Sequence, residues 1–125
     1  MAMQHTPLLM SKIIDRGAKV APYEEIVTAT ENGVRRQTYK ETRDRAHQLA
    51  HALSEAGIAV GDRVGTFMWN GSRHLEAYQA CAGMGAVLHT LNIRLSEKDL
   101  EYIINHAEDQ ICLLYTSPSP RDEQS

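Results

Sequence analysis

His47 and His51 stand four residues apart, a spacing that on a helix puts two imidazoles on one face, where they could share a metal ion. The stretch reads His47-Gln48-Leu49-Ala50-His51, with no Glu after the first His, so it is not the helix of a zinc protease. No Cys or third ligand is evident nearby, and a solvated pair is the expectation. His74 and Cys81 lie seven apart and could share a helix face as base and nucleophile. A lone buried Cys usually serves as a small apolar core residue, and that is expected of Cys81. Trp69 and Tyr78 are likewise expected in the core, not around a cofactor.

A phosphate loop needs closely spaced glycines, so that several backbone amides face one anion, with a Lys at a helix start. The chain has neither G-x-x-x-x-G-K-[ST] nor G-x-G-x-x-G. Gly83 and Gly85 make only G-x-G, and the pattern has them end a helix, so a helix stop is expected there.

These side chains need elements to position them. Leu8 to Val20 has Leu9, Ile13 and Ile14 at helical spacing. A strand is expected over Glu25–Thr30, a turn at Glu31-Asn32-Gly33 and a returning strand over Val34–Gln37, because Asn-Gly accepts positive φ. Thr38-Tyr39-Lys40-Glu41 has the form of a capping box. It opens a helix with Ala46, Leu49, Ala50, Leu53 and Ala56 on its core stripe, ending near Gly57. Arg63–Trp69 reads as a buried strand. Asn70 and Ser72 can each cap the next helix, which continues through Leu75, Tyr78 and Ala82 to Gly83. Ala86–Leu91 is a second buried strand. Ser96-Glu97-Lys98-Asp99 opens a helix with Leu100, Ile103, Ile104 and Ala107 on one face. A third strand begins at Gln110–Leu114.

From Arg63 onward the order is β-α-β-α-β, which implies a parallel sheet covered on both faces. In such open sheets ligands bind beyond the carboxyl ends of the strands. Those ends are Trp69-Asn70-Gly71 and Thr90–Arg94, so Asn70, Asn92 and Arg94 are the candidate binding residues. The plainer reading makes Asn70 a helix cap, Asn92 a turn holder and Arg94 a surface ion-pair partner.

Bulk properties narrow the partners. The 125 residues suit one small domain or part of a larger one, and 42% hydrophobic residues supply a core. The formal charge is −3 with no basic cluster, which argues against nucleic acid or an anionic membrane. Two cysteines, Cys81 and Cys112, suggest no disulfide framework and a reducing, cytoplasmic setting. Leu8-Leu9-Met10 is too short for a signal-peptide core, and no run nears the roughly 18 apolar residues that span a bilayer.

Several runs carry a family resemblance: Gly61-Asp62-Arg63-Val64, Trp69-Asn70, His74-Leu75-Glu76-Ala77-Tyr78, Gly83 to Asn92, and Tyr102 to Asp109. Together they closely resemble the N-terminal region of AMP-forming fatty acyl-CoA synthetases, in the adenylate-forming superfamily. Thr38–Glu41 resembles the superfamily's first core motif and Met84–Asn92 its second. The resemblance covers nearly all of residues 8–110. One departure is Ile93, where relatives often carry Pro, which would fix φ in that turn.

The resemblance implies an α/β fold: the N-terminal part of the adenylate-forming enzyme fold, a β-hairpin plus a β-α-β-α-β parallel sheet with helices on both faces, truncated. It implies a parent that uses ATP, Mg2+ and coenzyme A to turn a medium- or long-chain fatty acid into acyl-adenylate and then acyl-CoA. The family's phosphate loop, ribose-binding Asp and catalytic Lys lie downstream of the matched region, so no catalytic and no metal-binding residue carries over. The expected fragment is inactive. Some members make a dimer contact through this region, which leaves a homodimer open. A stand-alone dimerisation or binding module is the alternative reading.

The resemblance stops at Ile111 or Cys112. Cys112–Asp122 instead resembles the conceptual translation of a transposase sequencing adapter. The expectation is a partial N-terminal domain over 1–111 and a non-biological tail over 112–125, disordered from Thr116 to Ser125, where Ser, Pro and charge dominate. Leu113, Leu114 and Tyr115 are apolar, so tail residues are expected to complete the third strand.

Overall fold

A computed structural model describes residues 6–115. The tail residues 116–125, expected to be disordered, lie outside the described residues. The elements are α1 (Met10–Val20), β1 (Glu25–Thr30), β2 (Gly33–Thr38), α2 (Tyr39–Glu55), β3 (Arg63–Met68), α3 (Ser72–Met84), β4 (Val87–Thr90), α4 (Glu97–Ala107) and β5 (Asp109–Tyr115).

β1 and β2 form an antiparallel hairpin closed by Glu31-Asn32, with Thr30 opposite Gly33. The positive φ falls on Gly33, at 130°, and not on Asn32. Strand alternation turns Thr28, Arg35 and Gln37 to one side of this ribbon. The capping box is complete. Thr38 Oγ1 accepts from the Glu41 amide at 3.1 Å, and the Glu41 carboxylate reaches back to the Thr38 amide at 3.3 Å.

The second sheet has the order β4-β3-β5, all parallel. β3 is central, so the two helical crossovers run in opposite directions across it. The right-handed rule puts their helices, α3 and α4, on opposite faces. Leu53, Ile58, Val64 and Cys81 form the core between this sheet, α2 and α3, with Leu49, Leu88, Ile111 and Leu113 packed around them. β5 extends to Tyr115, so residues of the expected tail do complete the third strand.

The Gly61–Val64 run is structural. Arg63 Nε donates to Ala107 O at 2.9 Å, and its terminal nitrogen to Glu108 O at 3.2 Å. These carbonyls end α4, where Glu108 holds the left-handed conformation at φ 57°. A cation on a helix C-terminus satisfies orphan carbonyls and complements the helix dipole.

Helix α3 departs from the expected stripe. Its buried residues are Ser72, His74, Glu76, Ala77, Ala80 and Cys81, whereas Leu75 and Tyr78 are exposed. Packing of α3 against α2 and the hairpin selects the small-residue face, and the larger apolar side chains turn outward. Trp69 is 45% exposed and Tyr78 50%, so neither is a core residue. The helix also runs through Gly83 and stops at Gly85, whose φ is 80°. Neither Asn70 nor Ser72 caps α3. Its N-cap is Gly71, without a side-chain cap bond, and the Ser72 amide donates to Thr28 Oγ1 of the hairpin at 3.0 Å.

Candidate functional site

The carboxyl ends of β3 and β5 open onto a cleft of about 490 Å3. Its walls include Thr28 and Arg35 from the hairpin, Trp69 and Asn70 after β3, Arg73 at the start of α3, and Tyr115 at the end of β5. Strand order reverses between β3 and β5, so the cleft lies at the topological switch point of the sheet. Gly71 lets the hairpin approach, since a Cβ there would stand 2.9 Å from Thr28 Cγ2. Arg35 donates to Ser72 Oγ at 3.0 Å, which fixes one guanidinium at the cleft wall. The second, Arg73, lies 5.3 Å from the centre of the Tyr115 ring. The guanidiniums of Arg35 and Arg73 beside the Tyr115 hydroxyl hold its pKa below the usual phenol range.

Behind the cleft a polar network binds the hairpin to α2 and α3. The Glu76 carboxylate accepts from Arg45 Nε at 2.8 Å and from Gln37 Nε2 at 2.9 Å. Gln37 also donates to Thr42 Oγ1 at 2.8 Å. The Glu76 hydrogen bond raises the Arg45 pKa. This network explains why the Thr38–Glu41 motif matters here: it fixes the direction in which α2 leaves the hairpin.

Of the three strand-end candidates, Asn70 lines the cleft and Asn92 and Arg94 do not. Asn92 Oδ1 accepts from the Arg94 amide at 2.9 Å, so it holds a turn. Arg94 is exposed and makes no ion pair among the described residues. Sequence reasoning did not single out Thr28, Arg35, Arg73 or Tyr115, and it placed Trp69 in the core. The alternation Val34-Arg35-Arg36-Gln37 was the available signal, because it turns Arg35 to the same side as Gln37.

The histidine and cysteine candidates separate. His47 and His51 are exposed, with Asp15 at 3.9 Å and Glu55 at 3.2 Å respectively. Among the described residues no group of three His, Cys, Asp or Glu side chains could hold a metal ion. His74 Nε2 lies 2.9 Å from Thr66 Oγ1. Among the described residues its Nδ1 is buried without a partner, and burial lowers its pKa. The Cys81 thiol is fully buried and pushed up to about 11 by desolvation, which leaves it protonated and unreactive near neutral pH.

The model for the family described as AMP-binding enzyme matches residues 14–125. The chain belongs to that family. A long-chain-fatty-acid–CoA ligase of Thermus thermophilus is 46% identical over 112 residues, which cover 89% of this chain and 21% of that protein. A 3-methylmercaptopropionyl-CoA ligase of Ruegeria pomeroyi is 44% identical over 110 residues, 87% of this chain and 20% of that protein. Among solved structures, a Mycobacterium tuberculosis fatty acyl CoA synthetase superposes with a TM-score of 0.77 at 25% identity, over 83% of this chain and 20% of that one. The chain thus spans about a fifth of the length of the relatives it matches. The α/β fold is that of the N-terminal part of adenylate-forming enzymes. No helix among the described residues is long and apolar enough to cross a membrane.

Proposed function

We propose that this chain is the N-terminal portion of an ATP-dependent acid–thiol ligase. Its parent joins a medium- or long-chain fatty acid to coenzyme A through an acyl-adenylate. The observation that carries this reading is the identity of nearly half over 112 residues with a long-chain ligase, within a family match over 14–125. In the parent the acid carboxylate attacks ATP, pyrophosphate leaves, and the thiol of coenzyme A then displaces AMP. Positioning and stabilisation of developing charge do most of the work in such a reaction. The described residues contribute scaffold: the Glu76 network, the Arg63 cap on α4 and the β3-centred sheet. Magnesium would serve the adenylation step in the parent. The fragment alone is inactive in this reading. Its parent is cytoplasmic, and a homodimer is part of the proposal.

The second part of the proposal concerns Cys112–Ser125, which we read as adapter-derived. Its support is the match of Cys112–Asp122 to an adapter translation and the abrupt shift to Ser, Pro and charge from Thr116. The test is to resequence the source gene from unfragmented DNA across the codons for Glu108 to Ser125. A frame that runs on past Ile111 into a Ser/Thr/Gly-rich phosphate loop supports both readings. A real stop codon after Ser125 would sink the tail reading and leave a binding module to be tested. Independently, ATP–pyrophosphate exchange driven by fatty acid in the purified 125-residue chain would overturn the inactive-fragment reading.

A further inference from the structure

We propose that the cleft between Arg35 and Arg73 binds a phosphate group, free or esterified. The reading does not depend on the ligase assignment. Three observations converge on it. Two guanidiniums face one cleft, and among the described residues neither has a carboxylate within 4.0 Å. The chain as a whole carries −3, so an unneutralised cationic pair is a local exception that concentrates small anions at this point. One of the pair is preorganised, because Ser72 Oγ holds Arg35 at 3.0 Å and Ser72 is itself pinned to Thr28.

The chemistry selects a compact oxyanion. Guanidinium forks match the tetrahedral edges of phosphate, and two forks from different elements can grip two edges at once. The first turn of α3 opens onto the same cleft and adds its dipole. Glu31 also lines the cleft and opposes anions on its own side of it. The cleft, at about 490 Å3, has room for a phosphate and a small ester substituent beside the Trp69 indole. Arg35, Trp69 and Arg73 all precede Cys112, whereas Tyr115, which completes the wall, belongs to the final segment.

Trp69 is the sole tryptophan of the chain, and it lines the cleft, so its fluorescence reads occupancy directly. The full 125-residue chain is titrated with inorganic phosphate, and separately with glycerol 3-phosphate, at ionic strength held constant with chloride. The expected result is a saturable change in Trp69 emission. Arg73→Gln weakens it at least tenfold. Equal affinity for both probes assigns the site to phosphate esters, and preference for inorganic phosphate assigns it to the free ion. Arg35→Gln also removes the bond to Ser72, so its result counts only with an unchanged circular dichroism spectrum. A change no larger than chloride produces overturns the proposal. So does saturation with unchanged affinity in Arg73→Gln.

Discussion

The carboxylate of Asp109 accepts from His89 Nδ1 at 2.8 Å, reaching over the central strand from β5 to β4. The Asp109 side chain is 1% exposed, and the register shift between Arg63 and Val64 turns it toward Gly65. A Cβ on Gly65 would stand 2.9 Å from Asp109 Oδ2. The glycine is therefore required by the carboxylate, not by its own backbone. Gly65→Ala is expected to cost about 1–3 kcal/mol, the usual range for overpacking. Asp109→Ala relieves that clash while leaving His89 unpaired. The double variant should thus be less destabilised than the sum of the singles, a coupling that urea midpoints of the four proteins would measure. Strict additivity would mean that the two positions do not touch.

Glu76 is the one acidic side chain of α3 in the network behind the cleft, and it is 7% exposed. Glu76→Ala leaves Gln37 and Arg45 without their acceptor. Arg45 is 42% exposed, so water screens part of the loss. The expected cost is about 2 kcal/mol, mainly from unpaired hydrogen-bonding groups. Glu76→Gln should retain part of that, since an amide oxygen can still accept from one partner. Amide hydrogen exchange adds a spatial check: the loss should appear in β2 and the start of α2, where Gln37 and Thr42 sit.

His74 gives the fold a pH dependence of defined sign. Its Nδ1 is buried with no partner among the described residues, so protonation would place a charge where none of them receives it. Burial lowers its pKa, so the unfolded chain binds the proton more tightly than the folded one. Stability from this residue is fully present above the ordinary histidine value of about 6.5 and falls as the pH drops below it. Urea midpoints at pH 8 and pH 5 should differ more in the native chain than in His74→Gln. An equal difference in both would remove His74 as the cause.

Local rules were legible in the sequence where the chain decides its own conformation. The Thr38 capping box, the Ser96 cap on α4 and the β-α-β-α-β order all follow from neighbouring residues. What failed was decided at a distance. Asn70 and Ser72 have capping chemistry, but the hairpin supplies Thr28 to the Ser72 amide, and no sequence window joins residues 28 and 72. The face of α3 was misread for the same reason. Leu75 and Tyr78 are the larger apolar residues, yet close approach of α2 favours Ala77, Ala80 and Cys81. At the site, Asn70 was legible from strand-end position alone. For Arg35 strand alternation shows which side of the hairpin it takes, but not how that side docks on α3, which is what puts it in the cleft.

Cys81 and Cys112 should differ sharply toward thiol reagents. Cys81 is fully buried among Leu53, Ile58 and Val64, and desolvation raises its pKa to about 11. Cys112 is exposed on β5, although burial and the nearby Asp109 raise its pKa as well. Exposure controls access and the thiolate controls rate, so both terms protect Cys81 and only the second protects Cys112. Alkylation under native conditions should label one thiol per chain, mapped to Cys112, and two in urea. In Cys112→Ser the native chain should react only as fast as it opens, so the rate becomes a measure of core stability. Rapid native labelling of Cys81 would show that the α3 packing against the sheet is not held in solution. It would also reopen the nucleophile role that His74, turned to Thr66, does not support.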